Sequence, residues 1–104
     1  MVKTLKAGQH RLVFTAAINN KIADDEPFAK FVWKSILRFN RGDWGDMCQE
    51  DIKHNDEDLE SLNNGWDGRI LANYNTPKHQ VWITRNTAEE DGTQAITVMF
   101  PIEY

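Results

Sequence analysis

Apolar residues recur along the chain with two periods, and each period predicts one type of element. Alternation over residues 11–18 predicts a strand with one apolar face. Apolar residues three and four positions apart follow over residues 28–39 and predict a helix. The helix is expected to begin after Asp24 or Asp25 and to end at Arg41-Gly42, because Asp is a favoured N-cap and Gly is favoured just beyond a last turn. Ala29, Trp33 and Leu37 widen its apolar stripe, so we expect burial over a broad arc at the centre of the core.

A second helix is predicted over residues 46–62, with Asp43 as its N-cap and a stop at Asn63-Asn64-Gly65. Its apolar seam is thin and consists of Cys48, Ile52, Asn55, Leu59 and Leu62. A polar side chain in such a seam needs hydrogen-bond partners. We therefore expect Asn55 to bond the backbone of the 42–45 turn or of a strand end.

Three short segments remain, over residues 69–75 (RILANYN), 80–85 (QVWITR) and 95–100 (AITVMF), and they predict three further strands. The resulting order is β-α-α-β-β-β. It favours an α+β fold of two layers, in which two helices cover an antiparallel sheet of three to four strands. A length of 104 residues is typical of one domain, so residues 1–104 are read as a single α+β domain whose first ten residues could be flexible.

The net charge of −4 conceals an uneven distribution. Residues 1–42 carry eight basic and three acidic side chains, residues 43–68 carry one and nine, and residues 69–104 carry three and four. A basic first helix thus precedes an acidic second one, a pattern that affects the choice of partner rather than the fold. No apolar run approaches the length of a membrane span, and a single cysteine is incompatible with an internal disulfide framework. We expect a cytoplasmic protein of a bacterial host cell that does not bind membranes.

Several short motifs together resemble a family of small bacterial proteins carried on plasmids, prophages and integrative elements. The matching segments are residues 41–45 (RGDWG), Glu50-Asp51, Asn55, residues 69–74 (RILANY), residues 81–84 (VWIT) and residues 97–104 (TVMFPIEY). The chain departs from the family pattern at Ala72-Asn73 and in the insertion at 64–68. The resemblance implies a mobile-element protein and supplies no catalytic residues, so partner-binding surfaces are the candidates.

The first candidate is an acidic face on the second helix. Its carboxylates are those of Asp46, Glu50, Asp51, Glu57 and Asp58. A row of carboxylates can imitate a phosphate backbone, although a solvated acidic face is the plainer interpretation. Two tryptophans, Trp44 and Trp66, lie in glycine-flanked loops and are candidate aromatic anchors for a partner. For Trp44 we favour an architectural role in the turn between the helices.

The alternative candidate is a basic face on the first helix. It consists of Lys30, Lys34, Arg38 and Arg41. Four cations at this spacing could follow a phosphate backbone, or could simply be solvated, with Glu26 paired to Lys30. Glu50 and His54 could form a metal or acid–base pair on a helix, but we favour neither a metal, a cofactor nor a catalytic site.

The sequence therefore predicts a non-enzymatic accessory protein of a mobile element that acts by protein–protein interaction. The expected partner is a host protein such as a nuclease or defence complex, which would make the chain an anti-CRISPR or anti-restriction inhibitor. The alternative is a small nucleic-acid-associated accessory protein that uses the basic face.

Overall fold

The computed structural model describes residues 10–87 and 93–104. Residues 1–9, which belong to the segment expected to be flexible, and residues 88–92 lie outside the described ranges. The elements in chain order are β1 (His10–Phe14), α1 (Ala16–Asp24), α2 (Glu26–Asn40), α3 (Gln49–Asn63), β2 (Arg69–Asn75), β3 (Gln80–Thr87), β4 (Gln94–Met99) and a closing 3-10 turn (Pro101–Glu103).

The four strands form one sheet in the order β1-β4-β3-β2. Strands β2 and β3 pair antiparallel, as do β3 and β4, with Ile83 opposite Ala72 on one side and Val98 on the other. Strand β1 instead runs parallel to β4. The α+β class is confirmed, whereas an all-antiparallel sheet with two helices is wrong, because the described residues form three helices and a mixed sheet.

The predicted first strand is too long because the chain turns into a helix at Thr15. The Thr15 hydroxyl accepts a hydrogen bond from the Ile18 amide at 3.3 Å, which is an N-cap interaction. Residues 16–18 therefore begin α1 instead of continuing β1. Helices α1 to α3 then separate β1 from β2, and the last strand returns beside β1 in the parallel direction.

The ends of α2 agree with the sequence. The Asp25 carboxylate accepts from the Phe28 amide at 3.1 Å and caps the helix, and Pro27 lies in its first turn. After Asn40 the chain passes through Gly42 at φ +77°, a left-handed conformation that glycine adopts readily.

Helix α3 begins at Gln49, three residues later than predicted, with Cys48 at the N-cap position. Asp43 does not cap it, because its carboxylate accepts from the Gly45 amide and from Arg38 instead. Cys48 is exposed and therefore lies outside the apolar seam to which the spacing assigned it. Asn55 and Leu62 in that seam are buried.

The core lies between the helices and one face of the sheet. Its largest fully buried side chains include Ile18, Phe28, Leu62, Ile70, Tyr74 and Ile83. Helix α2 buries a narrower arc than its sequence predicts, since Trp33 is 53% and Leu37 60% exposed. The prediction that these two residues widen the buried stripe is wrong, because the buried residues of α2 form a single narrow stripe of Phe28, Val32, Ser35, Ile36 and Phe39.

Candidate functional site

The acidic side chains of α3 divide into two groups. Asp58 accepts a hydrogen bond from the Arg69 amide at 2.9 Å, and Asp56 accepts one from the Trp44 indole Nε1 at 2.9 Å. Asp46, in the loop before the helix, accepts from the Asn75 side chain at 3.3 Å. Asp58 and Asp46 thus fasten the helix and the preceding loop to β2, and Asp56 fastens the helix to that loop.

The side chains of the second group are exposed and make no hydrogen bond or ion pair within the described residues. It consists of Glu50, Asp51, Glu57 and Glu60. Lys53 lies one turn from Glu50 and from Glu57, so a cation interrupts their row. The acidic surface that could imitate nucleic acid is therefore smaller than the sequence predicts, because the carboxylates of Asp46 and Asp58 bond to β2.

The two candidate tryptophans have opposite environments. Trp44 is only 3% exposed, and its ring meets that of Phe39 edge-on at 5.3 Å. The architectural interpretation of Trp44 is confirmed, and its burial removes it from the surface that a partner could reach. Trp66 is 64% exposed in the loop after α3, so it is accessible as the sequence predicts. Whether Trp66 binds a partner stays a prediction.

The basic face, like the acidic one, contains some side chains that bond within the protein and others that do not. Lys30 pairs with Glu26 at 3.4 Å on the surface, as predicted. The Arg38 guanidinium forms a two-point interaction with Asp43, at 2.7 and 3.2 Å, and lies 5.1 Å from the centre of the Tyr74 ring. The hydrogen bonds from Arg38 and from the Gly45 amide lower the pKa of Asp43, and Asp43 in turn raises the pKa of Arg38. Arg38 therefore belongs to the helix connection rather than to a free cationic surface.

A different surface emerges around the two apolar residues that α2 leaves exposed. Trp33 and Leu37 are one helical turn apart, and Lys30, Lys34 and Arg41 lie along one side of them at 3.6 residues per turn. We call these five residues the α2 outer surface. The Trp33 ring also meets the Phe14 ring of β1 at 6.1 Å in an edge-on arrangement. This contact holds one edge of the indole against the protein while half of the side chain stays open.

Sequence reasoning missed this surface because it assigned every apolar position of α2 to the core. The sequence of α2 nevertheless contains an indication of this surface. Apolar residues cover more of α2 than one sheet face can contact, since positions 28, 32, 36 and 39 already form a complete stripe. Positions 33 and 37 are an additional row, and a cation follows the first of them at Lys34.

The histidine of the Glu50–His54 pair, which the sequence allows but does not favour as a metal or acid–base site, lies against a different carboxylate. His54 lies 3.4 Å from Asp58, whose carboxylate already accepts from a backbone amide. Within residues 10–87 and 93–104, no three His, Cys, Asp or Glu side chains are grouped so that they could hold a metal ion. Among the helices that the structure describes, none combines the length and the apolar character needed to span a membrane. Comparison with known protein families, curated proteins and solved structures finds no match for this chain.

Proposed function

We propose that this chain is a non-enzymatic binding protein that acts by docking the α2 outer surface on an acidic patch of another protein. The observation that supports this most is the exposure of Trp33 and Leu37, at 53% and 60%, side by side on one helix. Large apolar side chains that are adjacent and exposed are typical of interaction sites rather than of ordinary surface. Tryptophan is also the residue type most enriched among binding hot spots.

The geometry of Trp33 favours binding. Its edge-on contact with Phe14 restricts the rotation of the indole, so less conformational entropy is lost when a partner covers the ring. Lys34 and Arg41 have no ion-pair partner among the described residues, and they lie next to this row. A partner with carboxylates around an apolar depression would match both features, since complementary charge directs encounter and orientation.

The second part of the proposal concerns the identity of the partner and the kind of protein that this chain is. We propose that the partner is a host protein, such as a nuclease or defence complex, and that the chain is a mobile-element accessory protein that inhibits it. The GDWG-containing segments that resemble proteins of plasmids and prophages support this setting. Imitation of nucleic acid by α3 has less support, because Asp46 and Asp58 bond to the sheet and a lysine interrupts the exposed row.

A nucleic-acid partner is the second candidate for the same surface. One observation favours it, since Lys30 and Lys34 lie along one side of Trp33, so that the indole could stack on an unpaired base while the two lysines contact phosphates. Leu37 does not fit this function, because an aliphatic side chain that is 60% exposed offers no stacking face. The net charge of −4 also opposes non-specific phosphate binding.

The test is a pull-down from lysate of a bacterial host, with the wild-type chain, the double variant Trp33→Ala/Leu37→Ser and the matched control Trp66→Ala as baits. Trp66 is 64% exposed against 53% for Trp33 and is the other candidate anchor, so this bait distinguishes docking through α2 from docking through the loop after α3. We expect a captured defence complex to be lost with the double variant and kept with the control, while circular dichroism shows all three baits folded. Equal capture by all three baits would contradict the proposal.

An accompanying shift assay with single-stranded DNA separates the second candidate from the first. We expect no binding at low salt. Binding that disappears on Lys34→Gln and falls steeply with added salt would instead favour the nucleic-acid function. Charge reversal at Glu50 and Glu57 is expected to leave protein capture intact, and a loss there would favour mimicry by α3.

A further inference from the structure

A cavity of about 490 Å³ opens where the carboxyl ends of α2 and α3 meet the core face of the sheet. The cavity is lined by Phe39 of α2, Arg41 just after that helix, Asn63 of α3, Arg85 of β3 and Ile96 of β4. The volume lies within the range of small-molecule sites, which is about 300–1,000 Å³. The cavity is thus large enough for an organic molecule and not merely for water.

Arg85 is the unusual member of this lining. Its side chain points to the core face of β3, between Ile70 and Ile96 of the neighbouring strands, and the residue is only 7% exposed. The Nε group donates to the Gln94 side-chain oxygen at 2.8 Å, and Nη2 donates to that of Asn63 at 3.1 Å. Both acceptors are neutral amides. In the part of the chain that the structure describes, no carboxylate pairs with Arg85.

A buried guanidinium without a carboxylate carries charge that its surroundings compensate only in part. Burial lowers the pKa of Arg85, yet arginine stays protonated in proteins. The carboxyl end of α3 supplies about half of an elementary negative charge at most. The Leu62 carbonyl at that end already accepts a hydrogen bond from the Gln94 side chain at 2.6 Å. The negative end of the helix is therefore not available to Arg85 alone. Three of the five N–H groups of Arg85 are left without a partner in the described residues.

We propose that this cavity binds a small organic oxyanion, a carboxylate or a phosphomonoester carried on a compact apolar body. The oxyanion bonds the free N–H groups of Arg85, whose planar fork matches two oxygens of such a group. Arg41, exposed at the mouth, contributes a second positive charge. Phe39, Trp44 and Ile96 surround the remaining volume and contact the apolar body. This site shares Arg41 with the α2 outer surface but does not involve Trp33 or Leu37, on which the docking function rests.

A purely structural role for Arg85 is the competing explanation. In that case the guanidinium serves only to join Asn63 and Gln94 at the end of α3, and the cavity has no ligand. The two explanations predict different effects when Arg85 is replaced by an uncharged side chain of similar length. For a structural role, Arg85→Met alters stability alone, whereas for a ligand site it also removes a measurable response to anions.

The experiment uses phenyl phosphate and benzoate as probes, with benzamide as the uncharged control of the same size. Binding is followed in wild-type protein through the NMR signals of the Trp44 indole and the Asn63 and Gln94 side-chain amides, and through the thermal midpoint. We expect at least one anion to shift these signals and raise the midpoint while benzamide does neither. The anion that binds more tightly distinguishes phosphate from carboxylate recognition.

Variants assign the response to the proposed residues. Arg85→Met is expected to weaken binding by about tenfold or more, and Arg41→Gln by about threefold, because Arg85 makes the charged hydrogen bonds and Arg41 acts at longer range. Trp33→Ala is the control outside the cavity and is expected to bind as wild type does. If Arg85→Met fails to fold, the Arg41→Gln variant and the comparison with benzamide still test whether the cavity binds an anion. No response to either anion, or an equal response to benzamide, would overturn the proposal.

Discussion

The Asn55 side chain makes both of its hydrogen bonds to one residue, Leu71, at the outer edge of β2. Its Nδ2 group donates to the Leu71 carbonyl at 2.8 Å, and its Oδ1 atom accepts from the Leu71 amide at 3.3 Å. The amide thereby takes the place of a neighbouring strand. The same edge is covered on both sides of this point, because Asp58 accepts from the Arg69 amide and the Trp44 carbonyl accepts from the Asn73 amide. Helix α3 and the preceding loop thus protect a strand edge that could otherwise pair with another chain.

Replacing Asn55 with Ala is expected to destabilise the fold by about 2–3 kcal/mol, because two backbone groups of a half-buried strand lose their partners. Urea denaturation measures this change, and amide exchange at Leu71 is expected to accelerate more than at the central strand β3. Asn64→Ala is the matched control. Its side chain also donates to a backbone carbonyl, that of Glu60 at 2.9 Å, but at the exposed end of α3. A cost for Asn55→Ala no larger than that of the control would contradict this role.

Two glycines with the same conformation allow a second test. Gly42 and Gly45 have φ angles of +77° and +78°, but a Cβ atom on Gly42 would meet open space, whereas one on Gly45 would collide with the Asn73 carbonyl. Substitution by Ala therefore costs about 1–2 kcal/mol of left-handed strain at both positions. At Gly45 we expect a further loss of about 2 kcal/mol or more, because the loop must move away from β2.

Thermal unfolding of the two alanine variants checks this difference directly. Gly45→Ala is also expected to expose the Asn73 amide to exchange, since the Trp44 carbonyl that accepts from it lies beside the displaced glycine. Similar midpoints for the two variants would show that the close approach of the loop to β2 contributes little.

The bond between Trp44 and Asp56 offers a third prediction. Trp44→Phe keeps an aromatic ring against Phe39 and removes the indole donor, while Asp56→Ala removes the acceptor. We expect a double-mutant cycle to give a coupling free energy of about 0.5–1.5 kcal/mol. Trp66→Phe combined with Asp56→Ala is the control cycle and is expected to be additive. Additivity in the first cycle would mean that the bond does not stabilise the loop.

The sequence predicts those features of the fold that depend on local chemistry. The cap at Asp25, the turn at Gly42 and the extents of β2 and α2 follow from residue type and period. A structural bond for Asn55 also follows, because a polar group inside an apolar seam needs a partner. Its partner, Leu71, lies inside β2 rather than at its end, and spacing alone could not identify it.

Features that depend on how elements are arranged are less accessible from the sequence. Whether Trp33 and Leu37 are buried depends on how much of α2 the sheet covers, and hydrophobicity does not decide this. Arg85 lies in a strand that otherwise reads as alternating, and only the register shows that its side chain points to the core face beside α3. The parallel β1–β4 pair likewise depends on the return of β4 past three helices.

The pair of Arg38 and Asp43 leads to a prediction about acid stability. Hydrogen bonds from Arg38 and the Gly45 amide lower the pKa of Asp43 in the folded chain below its unfolded value of about 4. The charged carboxylate therefore stabilises the fold above about pH 4, and this contribution disappears as the pH falls through the lower folded pKa. Because both side chains are partly exposed, its size near neutral pH is about 1 kcal/mol or less.

Urea midpoints measured from neutral pH down to about pH 3 test this sign for the wild type and for Asp43→Asn. We expect the wild type to be more stable at neutral pH and the difference between the two proteins to shrink in acid. Arg38→Gln is the control for the source of the effect, since it removes the largest cause of the lowered pKa while leaving the carboxylate in place. The Arg38→Gln variant is expected to lose less stability on acidification than the wild type does. A difference between wild type and Asp43→Asn that grows in acid would contradict the lowered pKa.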